Sequence, residues 1–126
     1  MLKSFITVFI FFIVANVFAK QNTEYFYTHP LAIQKAIAQC PAHPPKGISC
    51  EQLEKVAIKM NHLALQLRMD PQQFGQDILN LQAAIAEQQQ KLNNNGDPEI
   101  EKSCLNAKKE LKKRLAVVSW LESPEA

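Results

Sequence analysis

Two Asp-Pro pairs, Asp70-Pro71 and Asp97-Pro98, constrain the folding of this 126-residue chain more than any other feature. An aspartate at a helix start accepts from the free N–H groups of the first turn. A proline at the first helical position loses nothing there, because its missing N–H would be unpaired anyway. Each pair therefore reads as the start of one helix and the end of whatever precedes it. Ser49-Cys50-Glu51-Gln52 is a third start device. It has the form of a capping box, in which Ser49 caps and Gln52 reaches back. After each device, apolar residues recur at spacings of three and four. They are Leu53, Val56, Met60, Leu63 and Leu67, then Phe74, Ile78, Leu81, Ile85 and Leu92, then Ile100, Cys104, Ala107, Leu111, Leu115 and Val118. That period belongs to helices with one buried stripe. No segment alternates convincingly with period two. The expected fold class is all-α, a small bundle of about four helices arranged as two helical hairpins with one disulfide-stapled loop.

The first expected helix opens at Thr28 or His29, carries Pro30 in its first turn and runs from Leu31 to Gln39, with Ile33, Ala36 and Ile37 on one face. A short aromatic segment, Thr23 to Tyr27, precedes it. Gly75, inside the third helix, costs about 1 kcal/mol against alanine and is read as permitting close packing. Asn93-Asn94-Asn95-Gly96 is expected to end that helix through the left-handed conformation. Leu31–Gln39 resembles Leu79–Glu87 in sequence, which suggests two related hairpins. The helical domain is expected over residues 20–122, with 123–126 a frayed tail.

The N-terminus has a different grammar. Lys3 is followed by an apolar run from Phe5 to Ala19 in which only Thr7 and Asn16 are polar. Val17-Phe18-Ala19 supplies tolerated residues for signal peptidase. Residues 1–19 therefore read as a secretory signal peptide with cleavage after Ala19, and the run falls short of the roughly 20 residues of a spanning helix. An uncleaved anchor is the rival reading. No cysteine follows closely enough to carry a lipid. Removing residues 1–19 takes away Lys3 and leaves a chain that began at net +2 nearer to neutral.

Of the three cysteines, Cys40 and Cys50 flank Pro41-Ala42-His43-Pro44-Pro45-Lys46-Gly47-Ile48-Ser49. Prolines and a glycine make this a tight connector, and an exported chain favours disulfides. Three pairings are possible in principle. Cys40–Cys50 is the expected one, stapling the ends of two helices. Cys104 is then left over, as a buried thiol on a helical stripe or as an intermolecular partner. His29, His43 and His62 are scattered and no Cys-x-x-Cys exists, so no metal or other cofactor is expected.

Two clusters are candidates for function. The basic run Lys108, Lys109, Lys112, Lys113 and Arg114 has the composition of a contact for anionic lipid, an acidic partner or nucleic acid. It reads first as the solvated face of the fourth helix, with Leu111 and Leu115 pointing inward. No aromatic residues interleave with it for base stacking, so nucleic acid is not expected. Tyr25, Phe26 and Tyr27, with His29, form the candidate partner-binding surface, since aromatics anchor interfaces. The stripe of the second helix serves as core first and as an interface of a homodimer second. No catalytic motif is present. Asp97 with Glu110-Leu111-Lys112 copies the metal-binding set of junction-resolving nucleases, but on a helix the side chains point apart. A secreted nuclease is thus the alternative of lower weight, beside a purely structural envelope protein.

Thr23-Glu24-Tyr25-Phe26-Tyr27-Thr28-His29-Pro30, then Cys40, then Cys50, resembles the small entry-exclusion proteins of conjugative plasmids. An aromatic-His-Pro start, a short helix, a cysteine, a Pro/Gly-rich loop and a second cysteine recur in that family. The resemblance covers about residues 23–52. It implies a protein of the bacterial envelope that contacts a component of a type IV secretion system. Two departures accompany it. Family members are usually lipoproteins, and this chain lacks the lipid-accepting cysteine. The Asn-Ala that follows the family's second cysteine is missing after Cys50 and stands instead after Cys104, as Asn106-Ala107. The remainder looks like secreted helical proteins of gammaproteobacteria. The expected partner is an envelope or secretion-system protein.

Overall fold

A computed structural model describes residues 22–123. The expected leader 1–19, its cleavage after Ala19 and the last three residues of the expected tail lie outside the described residues. Within them the chain is all-helical. α1 spans Thr23–Thr28, α2 Pro30–Ala38, α3 Cys50–Met69, α4 Pro71–Asn94 and α5 Pro98–Glu122. The aromatic segment is thus a helix of its own, and the described residues hold five helices rather than about four.

Local chemistry sets the boundaries. Tyr25 N–H donates to the Asn22 side chain at 3.1 Å and opens α1. His29 ends α1 and precedes Pro30 of α2, making no side-chain cap. Ser49 and Gln52 form the expected box, with bonds of 3.1 and 3.0 Å. Asp70 and Asp97 cap α4 and α5, accepting from Gln73 at 3.0 Å and from Glu99 at 2.9 Å. The end of α4 differs from expectation. Asn95 is extended and Gly96 is not left-handed; among the described residues only Gly47 has a left-handed φ, 86°. The Asn95 N–H bond to the Lys91 carbonyl closes α4, so no left-handed cap is needed.

α4 and α5 form an antiparallel hairpin. Its register is marked by Gln88 donating to Ser103 at 2.8 Å and by Arg114 meeting Asp77 at 3.4 Å. α3 packs against α1, α2 and α5 more than against α4. The core therefore sits to one end. Phe26, Ile33, Ile48, Leu53, Val56, Met60, Leu63, Phe74 and Val117 converge there. α4 contributes a single fully buried residue, Phe74, and Cys104 is buried outside this cluster. The molecule is a body of α1, α2, α3 and the last turns of α5, from which the α4–α5 hairpin extends. Leu31–Gln39 makes a short helix, whereas Leu79–Glu87 lies inside a 24-residue helix, so the two similar segments play different parts.

Two packing expectations change. Leu115 is 45% exposed, and Val117 is buried in its place. The stripe through Leu111 faces α4. Beyond it α5 also packs on α1, α2 and α3, and the buried side rotates accordingly. A Cβ at Gly75 would meet nothing within 4 Å, so no close approach requires the glycine. Among the described residues no helix is long and apolar enough to cross a membrane.

Candidate functional site

The aromatic segment divides between core and surface. α1 presents one residue inward at each turn, and that residue is Phe26, 1% exposed. It is a core ring rather than a contact residue, because α1 packs on α3 and Phe26 joins Val56 and Leu63 in one buried cluster. Tyr25 lies beside it, ring edge to ring face at a centroid distance of 5.3 Å. The other partner of Tyr25 is His29, stacked at 4.0 Å with the planes 15° apart.

His29 is held at its second edge too. Nδ1 is 2.7 Å from the Tyr25 carbonyl and 3.0 Å from Thr28 Oγ1. A carbonyl only accepts, so Nδ1 carries the proton in the neutral ring, and Nε2 is left as the acceptor. Thr28 Oγ1 donates to the same Tyr25 carbonyl at 3.0 Å. The ring, itself exposed, is fixed in orientation at the α1–α2 junction. Beside it opens a cavity of about 300 Å³ between the junction and α5, with His29, Pro30, Ala116, Ser119 and Trp120 on its walls.

Tyr27 leaves the helix on another side. Lys113 Nζ sits 4.0 Å from the centroid of its ring. Burial holds the Tyr27 hydroxyl above the ordinary tyrosine range, and the charges of Glu24 and Glu110 push the same way. A phenolate there would lose solvation and face two carboxylates.

The basic run divides in the same manner. Lys109 reaches Glu24 at 3.9 Å, and Lys113 covers Tyr27. Arg114, whose side chain is 14% exposed, contacts Asp77 and Glu110 at 3.4 Å each and lies over Phe74 at 4.9 Å. Lys59 of α3 meets the same Glu110 at 3.7 Å. Lys109, Lys113 and Arg114 thus tie α5 to α1 and α4, Lys59 ties it to α3, and these members of the basic run are not a free solvated face. Lys108 and Lys112 have no ion-pair partner among the described residues.

Cys40 and Cys50 are joined, with their Cα atoms 6.0 Å apart. Ile48, 6% exposed, anchors the loop between them to the core, while Pro41 to Pro44 face solvent. The stapled loop adjoins the aromatic start in sequence, but α2 separates them in space. Its nine residues place them about 13 Å apart along the helix. Cys104 is a buried free thiol, shielded from a second chain. Asp97 is occupied as a cap, and Glu110 lies about 20 Å further along α5, held by Lys59 and Arg114. Among the described residues no three His, Cys, Asp or Glu side chains gather as metal ligands.

The Lys59–Glu110–Arg114–Asp77 chain is not legible in the sequence. Only the hairpin register brings Asp77 to Arg114. The alternation of cations and carboxylates along α5 was its one visible trace. Comparisons with known protein families, with characterised proteins and with solved structures find no match to this chain.

Proposed function

We propose that this chain is an exported helical protein of the bacterial envelope that works by contact with another protein. The contact is exclusion-like or belongs to a type IV secretion system, as the resemblance over residues 23–52 implies. The observation that carries the reading is the Tyr25–His29 stack at the rim of the α1–α2 cavity. An exposed imidazole held by a ring on one side and a carbonyl at its edge loses little freedom when a partner arrives. Tyrosine supplies apolar area with a polar tip, the usual chemistry of an interface anchor. The Cys40–Cys50 disulfide fits an oxidising compartment. A nuclease reading has no comparable support, since Asp97 and Glu110 are separated and already engaged.

Capture from envelope extracts under non-reducing conditions tests the assignment. Tyr25→Ala and His29→Ala should keep the helical circular dichroism of the parent and lose its captured partner. Unchanged capture by both variants sinks the proposal. Phe26→Ala is unsuitable, because emptying a buried aromatic site costs about 3–5 kcal/mol and threatens the fold.

A further inference from the structure

We propose that the outer face of α5 is a second contact surface, which takes an amphipathic helix of a protein partner bearing carboxylates between apolar anchors. It stands independently of the Tyr25–His29 junction.

Glu101, Leu105, Lys108, Lys112 and Leu115 follow one another at spacings of four, three, four and three. On a helix that pattern is a single stripe, about 21 Å long. Leu105 is 52% and Leu115 45% exposed. The two lysines between them are the members of the basic run left without ion-pair partners among the described residues. Lys109, Lys113 and Arg114, on other sides of α5, are engaged with Glu24, Tyr27, Asp77 and Glu110. The unpaired cations and the exposed leucines thus share one face.

Charge complementarity selects the occupant. Two leucines bracketing two cations match a helix with apolar residues bracketing carboxylates. Glu101 asks for a cation at one end of that helix and so fixes its direction. An anionic bilayer matches poorly, because Glu101 would face the lipid phosphates with only two free lysines to offset it. A second copy matches poorly as well. The antiparallel register that sets Leu105 on Leu115 also sets Lys108 on Lys112, and a parallel register sets each lysine on itself.

The purified chain is titrated with a synthetic amphipathic helix whose apolar face alternates leucine with glutamate. The same helix with lysine for glutamate is the control. The acidic helix should bind and the basic one should not. Lys108→Glu with Lys112→Glu should weaken the acidic helix roughly tenfold. Leu105→Ala with Leu115→Ala should weaken it at high salt as well as low, since apolar contact is not screened. Leu105, Lys112 and Leu115 are exposed and Lys108 is half-buried, and unchanged circular dichroism verifies the fold. Absence of binding, indifference to the lysine reversal, or loss of the leucines without effect overturns the proposal; the last outcome would leave only diffuse charge attraction. Phosphatidylglycerol vesicles that capture the chain through these same residues would overturn it in favour of lipid. A dimer in sedimentation, broken by these variants, would overturn it in favour of a second copy.

Discussion

Tyr25 and Phe26 are neighbours in the chain with different surroundings, and the difference lies in one helical step. A six-residue helix turns Phe26 into the core and leaves Tyr25 half-buried at the core's edge, stacked on His29. No periodicity in so short a segment shows which of three adjacent rings goes inward. The cap residues are the contrary case. Ser49, Asp70 and Asp97 were legible in the sequence because a cap bonds to residues two or three positions away and needs no knowledge of the fold. Gly75 lies between these extremes. Its helical position was readable, but its lack of neighbours was not. Gly75→Ala should therefore raise stability by about 1 kcal/mol and the midpoint of thermal unfolding by about 4 °C. An unchanged or lowered midpoint, read by circular dichroism, would show that the site does need the glycine.

At the level of elements, the starts were legible and the partners were not. The stripe of α3 buries Leu53, Val56, Met60 and Leu63, as its spacing requires, because that helix keeps one core-facing side throughout. α5 changes neighbours along its length, so a stripe extrapolated from Ile100 places Leu115 inward, where the structure has Val117. The basic run was ambiguous for the same reason: five cations on a helix point several ways, and only tertiary contacts decide which are engaged. The connector between α2 and α3 was readable from its prolines and cysteines. It closes a loop of sequence separation 10. Releasing so short a loop restores unfolded-state freedom that corresponds to about 2.5–3 kcal/mol. Cys40→Ser with Cys50→Ser should lower the denaturant midpoint accordingly, with the slope of the transition little changed. A loss under about 1 kcal/mol would mean that Ile48 and the Ser49 cap hold the connector without the staple.

The whole molecule is uneven. α1, α2 and α3 share a core with Phe74 and Val117, while the far part of the α4–α5 hairpin has Leu81, Ile85 and Leu92 half-buried and Cys104 alone fully enclosed. Two helices with one seam bury too little apolar area to match a three-sided core. Amide hydrogen exchange should therefore be faster at Leu81–Leu92 than at Leu53–Leu63 by local opening, without global unfolding. Equal protection across both stretches would mean that the hairpin and the body open as one unit. That unevenness was not legible from the stripes, which have similar apolar content in each helix. It arises from which helices meet. The pairing of α1 with α5 has a consequence in time. Glu24 and Tyr27 find Lys109 and Lys113 only near the far end of the described chain. A growing polypeptide that has reached α4 still lacks these long-range closures. The body can seal only once α5 has been made, so the nascent chain stays threadable until that helix has emerged.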